Sequence, residues 1–201
     1  MSLEISRKGM LLVLSGPAGA GKGTLGKMLL RTDKNFYFSI SATTRGPRFN
    51  ETHGVDYHFL TDKEFDNLVD QNMFLEYATV HSHRYGTLKQ PIVDNIEKGV
   101  DVLLDIDTQG AMNVIKAYPD CVSVFILPPS FEILEQRLHT RNTDNPDEIQ
   151  KRLRNARKEI QLIDKYDYAI INNTVDLSFE SLMHIVKAEK SKTKRFMPRF
   201  L

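Results

Sequence analysis

The sequence predicts an α/β fold, a doubly wound parallel sheet with helices on both faces, and three observations carry that prediction. Strand-like and helix-like patterns alternate along most of the chain. Two runs, Val102-Leu-Leu-Asp-Ile106 and Val124-Phe-Ile-Leu127, are too continuously apolar for a sheet with one wet face. A further apolar run, Met10–Ser15, opens directly into Gly16-Pro17-Ala18-Gly19-Ala20-Gly21-Lys22-Gly23-Thr24 and then a helical pattern to Leu30. With 201 residues, 41% hydrophobic and 26% charged, the chain can bury one sizeable core and shows no compositional sign of disorder.

The glycine-rich segment has the chemistry of a phosphate cradle. Its glycines let backbone N–H groups approach phosphate oxygens at a helix start, and Lys22 can reach the outer phosphates as a mobile point charge. A glycine-rich turn with a chance lysine is the bland alternative, and the order strand, loop, helix opposes it. Gly23 stands where such loops usually carry a Ser or Thr for Mg²⁺, so the metal is expected to be held through waters, with Thr24 following.

The remaining elements follow in order. Phe36–Ile40 reads as a strand. Ser41 to Gln90 breaks the rhythm with short alternating pieces, Tyr57–Leu60 and Phe74–Val80, around a capped helix starting at Thr61-Asp-Lys-Glu64; it reads as an inserted, mostly antiparallel subdomain. A helix from Thr87 to Lys98 ends at Gly99, and strands follow at Val100–Ile106 and Val122–Leu127. His139 to Asn145 is polar and turn-forming, which suits a lid, and Asn145-Pro-Asp-Glu148 starts a long helix. Tyr168–Ile171 is the last strand, and the basic, aromatic tail Lys192–Leu201 reads as a frayed helix end. The expected organisation is a single domain, 1–201, with core segments 8–38, 91–131 and 160–201, an insertion at 39–90 and a helical lid at 132–159.

Composition also excludes partners. A net charge of +1 leaves no global basic field for nucleic acid. The single cysteine, Cys121, lies in an apolar run and reads as a small buried hydrophobe in a reducing compartment. Without a membrane-length apolar stretch or a leader pattern, a cytoplasmic enzyme off the membrane is expected. His81-x-His83 lacks a third ligand nearby, and nothing identifies a protein partner.

The insertion concentrates a second ligand's chemistry. Ser41-Ala-Thr-Thr-Arg45-Gly-Pro-Arg48 puts two guanidinium groups three residues apart, with Tyr57, Tyr85 and Thr87 to follow. Arg holds a phosphate by paired hydrogen bonds and Tyr hydroxyls complete the shell; alone, the cluster reads equally as a solvated loop. Taken with the glycine-rich loop, Phe74-Leu-Glu76, Tyr85-Gly-Thr87 and Leu104-Asp-Ile-Asp107-x-Gln-Gly, it resembles guanylate kinases over nearly the whole chain. That resemblance implies transfer of a phosphoryl group from ATP to GMP, and to dGMP, giving ADP and GDP. It implies a GMP site of Ser41, Arg45, Arg48, Tyr57, Glu76, Tyr85, Thr87 and Asp107. It also points to Arg141 and Arg152 as phosphate contacts and to Arg137 nearer the adenine, and Asn172 is counted with the donor-nucleotide residues. Two departures are visible, Ala18 in place of a frequent Ser and Phe49-Asn50 after the Pro-Arg turn.

Hydrogen-bond inventory leads to the same base. Guanine presents N1–H and an N2 amine side by side, and one carboxylate, Glu76, can accept from both, whereas adenine offers a bare lone pair there. Ser41 and Thr87 can donate to O6 or N7, and Asp107 can accept the remaining N2 proton. Phosphoryl transfer between two polyanions needs positive charge from several directions, supplied by Lys22, Arg45, Arg141 and Arg152. On the long helix Ile149, Leu153, Ala156, Ile160 and Ile163 mark a buried face; at roughly 100° per residue Arg152 lies about 60° from its centre and Arg154 about 140° away. Arg152 should therefore reach the cleft and Arg154 solvent. Asp105, ending a buried strand, is the expected anchor of hydrated Mg²⁺, with capping of the next helix as its alternative role. A non-catalytic scaffold on this fold would lack the cradle residues present here, and an adenylate-type kinase would have no use for Glu76 and Asp107.

Overall fold

In the computed structural model, which describes residues 3–80, 82–140 and 146–200, apolar continuity and strand burial coincide. The chain begins with Leu3–Arg7 (β1), Leu11–Ser15 (β2), Lys22–Thr32 (α1) and Phe36–Phe38 (β3). The insertion contributes Ala42–Thr43 (β4), His58–Phe59 (β5), Asp62–Asp70 (α2), Phe74–Val80 (β6) and His83–Leu88 (β7). The core resumes with Lys89–Glu97 (α3), Asp101–Asp105 (β8), Thr108–Ala117 (α4) and Val122–Leu127 (β9). Phe131–Thr140 (α5), Pro146–Ile160 (α6), Tyr168–Ile171 (β10), Val175–Lys190 (α7) and Phe196–Phe200 (β11) complete it.

The central sheet has the order β10-β9-β2-β8-β3, and every pair in it is parallel. Because side chains alternate across a strand, β2 serves both layers. Leu12 and Leu14 pack with Leu25 and Leu29 of α1 and Leu182 and Val186 of α7, while Leu11 and Val13 pack with Ile92 and Ile96 of α3 and Ala111 and Val114 of α4. Cys121 joins the second cluster, and burial pushes its thiol up to about 12, so it stays a neutral hydrophobe. One charged group is fully buried against the sheet: the Asp101 carboxylate accepts from Met10 N at 3.0 Å and pairs with Lys190 at 2.9 Å and Arg7 at 2.5 Å. Every oxygen of that carboxylate is satisfied, as a charge inside a core requires.

The insertion forms its own four-stranded sheet, order β5-β4-β7-β6, antiparallel except for β4 with β5. Its small core is Ala42, Phe65 and Phe74, the two rings stacked at 4.6 Å. The expected capping box is present: Glu64 N donates to Thr61 Oγ1 and Thr61 N to Glu64 Oε2. In the first part of the long helix, Ile149 and Ala156 pack on Leu134 and Leu138 of α5, and Ile160 and Ile163 pack on the core beyond.

Two expectations need correction. The helix expected from Thr87 begins at Lys89, because Thr87 is held in β7 opposite Glu76. The tail is not a frayed helix end: α7 stops at Lys190, and β11 pairs antiparallel with β1 from Leu3↔Phe200 to Arg7↔Phe196. Pro198 has no N–H and cannot continue a helix. Arg195, 3% exposed, pins the turn by donating to Glu189 Oε2 and the Asp120 carbonyl, both at 2.8 Å.

Candidate active site

The glycine-rich loop links β2 to α1 at the carboxyl edge of the sheet. Gly16 (φ +132°) and Gly21 (φ +99°) need left-handed backbone, and a Cβ at Gly16 would lie 2.2 Å from the Ile126 carbonyl oxygen. Lys22 opens α1, and its Nζ donates back to the carbonyls of Gly16 (2.6 Å) and Pro17 (3.1 Å), so the ammonium lies across the loop. Asn172, 2% exposed, braces the loop from β10: its Nδ2 donates to the Ala20 carbonyl at 2.8 Å, and its own carbonyl accepts from Arg137 Nη2 at 2.9 Å.

A cavity of about 340 Å³ extends from this loop, lined by Gly16, Ala18, Lys22, Asp105, Asp107 and Arg152, with Asn155 and Glu159 beside them. Arg152 is 24% exposed on its side chain and Arg154 is exposed, the phase expected of the helix. Arg141 and His81 lie outside the described residues. Asp105 ends β8, and a Cβ on Gly23 would lie 3.3 Å from its Oδ2, so glycine after Lys22 is what lets this carboxylate close on the loop. Among the described residues no three His, Cys, Asp or Glu side chains are grouped to hold a metal. Asp105 beside Gly23, with no grouped set of ligating side chains among the described residues, fits Mg²⁺ that arrives on a nucleotide and keeps most of its waters; it does not make a protein cage.

A second cavity, about 210 Å³, is lined by Ser41, Tyr57, Glu76, Tyr85, Asp107 and Gly110, among others. The two cavities share Tyr57, Val80, Asp105, Ile106 and Asp107, so they lie side by side. Glu76 is 8% exposed on β6; burial foremost, with Asp107's charge adding to it, pushes its carboxyl up to about 7. Thr87 was expected to meet the base directly, but it lies fully buried behind Glu76 and donates its hydroxyl proton to Oε1 at 2.7 Å. Helix capping falls to Asp107, not Asp105: Asp107 Oδ1 accepts from Gly110 N at 2.8 Å, leaving Oδ2 for a ligand. A Cβ on Gly110 would sit 3.3 Å from both Asp107 Oδ1 and Glu76 Oε2, so this glycine keeps the carboxylate floor open.

At the mouth, Arg45 lies over the Tyr57 ring at 5.4 Å, and Tyr57 meets Tyr85 edge-on at 6.0 Å. Burial, together with Tyr85, raises the Tyr57 hydroxyl above its ordinary range and keeps it a donor. Arg48 is 71% exposed on its side chain. Sequence reasoning missed Glu51, which pairs with Arg45 at 2.9 Å, and also Asn155 and Glu159. Burial raises the carboxyl of Glu159, with Lys22 opposing the shift.

Comparison with known proteins matches the chain as a whole to one family. The guanylate kinase family model matches residues 8–189. A guanylate kinase of Caldanaerobacter subterraneus subsp. tengcongensis is 44% identical over 193 residues, 96% of this chain and 94% of the relative. One from Rickettsia felis is 46% identical over 190 residues, 94% of this chain and 99% of the relative. The crystal structure of guanylate kinase from Anaplasma phagocytophilum superposes with a TM-score of 0.80 at 34% identity, covering 96% of this chain and 92% of that one.

Proposed function

The chain belongs to the guanylate kinase family, and we propose that it carries out that family's reaction where its two cavities meet. The reaction is phosphorylation of GMP by ATP, giving GDP and ADP. The observation that carries the site assignment is the shared wall of Tyr57, Val80, Asp105, Ile106 and Asp107, which would bring an acceptor phosphate to the phosphate-binding loop without crossing bulk water.

In this reading the loop from Gly16 to Thr24 holds the donor phosphates and Lys22 swings from its own carbonyls onto the transferring group. Arg45, Arg48, Tyr57 and Tyr85 hold the acceptor phosphate, and Arg141 and Arg152 bring charge from the lid side. Mg²⁺, held by Asp105 through water, would neutralise charge on the donor phosphates. No general base is required, because the acceptor oxygen is already ionised. Glu76, oriented by Thr87, accepts from guanine N1–H and N2, and Asp107 Oδ2 takes the remaining N2 proton. Arg137 lines the adenine side, and Asn172 serves the donor site through the loop it braces. In the same reading dGMP is an acceptor as well. The insertion 39–90 and the helices 132–159 close over a core of the remaining segments. Among the described residues, no helix is long and apolar enough to cross a membrane.

A coupled assay with GMP, dGMP, AMP, UMP and CMP as acceptors tests this reading. Turnover with GMP and dGMP, and at least roughly 100-fold lower kcat/KM with the others, is expected from a site whose buried Glu76 carboxylate would be left unpaired. Comparable efficiency with AMP would overturn it.

A further inference from the structure

Glu51 stands in the insertion three residues beyond Arg48, where the Glu51 N–H donates to the Arg48 carbonyl at 3.0 Å. Its carboxylate faces both arginines. Arg45 Nη2 lies 2.9 Å from Oε1 and 2.9 Å from Oε2, the Arg48 N–H donates to Oε2 at 2.8 Å, and Arg48 Nη1 is 3.9 Å from Oε1. The other face of the Arg45 guanidinium rests on Tyr57 and Phe59, at 5.4 and 5.9 Å from their ring centroids, and its Nη1 donates to the Gly46 carbonyl at 2.8 Å. Arg45 is thus fixed from three sides before any ligand arrives.

We propose that Glu51 is a positioning residue for the acceptor phosphate, one that orients Arg45 and closes the Arg48 turn without touching the nucleotide. The proposal rests on the reading of Arg45 as a phosphate ligand. The Arg45 and Arg48 guanidinium groups repel each other, and a carboxylate between them offsets that repulsion. Arg carries five N–H donors, and the carboxylate, the Gly46 carbonyl and Tyr85 do not use all of them, leaving donors for a phosphate to add to the pair without displacing Glu51. Burial works to raise the Glu51 carboxyl, but the Arg48 amide and Arg45 outweigh it and hold it below its usual range, so the anion persists at neutral pH. Pre-ordering of Arg45 removes rotamer entropy that binding would otherwise lose. The opposite view, in which Glu51 is a rival anion that GMP must displace, reverses the sign of every effect below.

The test uses the purified full chain as Glu51→Gln, Arg45→Ala and the double variant. Steady-state kinetics are measured in GMP and ATP, alongside equilibrium binding of GMP and of guanosine, which lacks the phosphate. Glu51→Gln is expected to raise the GMP KM on the order of tenfold, the loss typical of a hydrogen bond to a charged group. The change in kcat should be much smaller, and ATP KM and guanosine affinity should hold; retained guanosine binding also reports a folded pocket. Because Glu51 acts largely through Arg45 and otherwise through the Arg48 turn, the double variant should lose less than the sum of the single losses. Tighter GMP binding by Glu51→Gln, equal weakening of guanosine and GMP, or additive losses in the double variant would each overturn the proposal. An unchanged GMP KM in Arg45→Ala would instead overturn the phosphate assignment beneath it.

Discussion

At the scale of single residues, the site depends on charges held in unusual places. Lys22 rests on its own loop carbonyls at 2.6 and 3.1 Å, a contact that a phosphate outcompetes. Lys22→Ala should lower kcat by roughly 10²–10³ with little change in thermal midpoint, as the proposed role of stabilising transferring charge requires. A collapsed transition would mean that it holds the loop together. Burial pushes the Glu76 carboxyl up to about 7, and in the proposed role it is ionised to accept from guanine, so GMP binding near neutral pH should expel its proton and GMP KM should rise as pH falls. Well below that pKa the rise approaches tenfold per unit. The GMP phosphate has its own second ionisation near pH 6, so the signal is the difference between wild type and Glu76→Gln, whose profile lacks the carboxylate's share. For stability the sign is reversed. The raised pKa favours the folded state below the ordinary carboxyl range near 4.5, and that contribution is lost as pH rises through about 7.

At the scale of elements, most of what positions the site was legible in the sequence. The continuous apolar strands and the glycine loop with its positive-φ turns follow from residue type, and so does the phase that separates Arg152 from Arg154. The same phase, carried on from Arg152 to Asn155 and Glu159, would have found two more cleft residues, because positions three and seven along a helix share a face. Glu51 was hidden although its partners Arg45 and Arg48 lie within six residues, because an irregular turn brings the three together and no helical or strand spacing reports it. Thr87 was misread because its register opposite Glu76 is a pairing property that no local pattern reports. The tail was misread for the same reason, as its partner β1 lies at the other end of the chain. The brace between β10 and the loop is testable: a Cβ at Gly21 would meet Asn172 Nδ2 at 2.1 Å in left-handed backbone. Gly21→Ala should cost about 1–3 kcal/mol of stability and raise the ATP KM, read by calorimetry and kinetics. An unchanged midpoint would show that the loop tolerates a different path.

At the scale of the whole molecule, two charged sets hang from one sheet. Arg45 and Arg48 belong to the insertion and Arg152 to the α5–α6 pair, and they have reason to converge only when both nucleotides bridge them. X-ray scattering should show a smaller radius of gyration with a bisubstrate analogue than without ligand, and equal values would indicate a preformed site. The central claim is that a buried carboxylate, aimed by Thr87 and flanked by Asp107, selects the acceptor base. Its most direct measurement is the acceptor kinetics of Glu76→Gln at pH 8, where the wild-type carboxylate is ionised. The amide keeps the volume but replaces an acceptor oxygen with a donor and removes the charge. GMP KM should rise by roughly 10–100-fold, the loss of about 1.5–3 kcal/mol expected for a hydrogen bond to a charged group. ATP KM should stay put, and discrimination against AMP, whose N1 can accept from the new amide, should fall. An unchanged GMP KM with unchanged base selectivity would contradict the role given to Glu76.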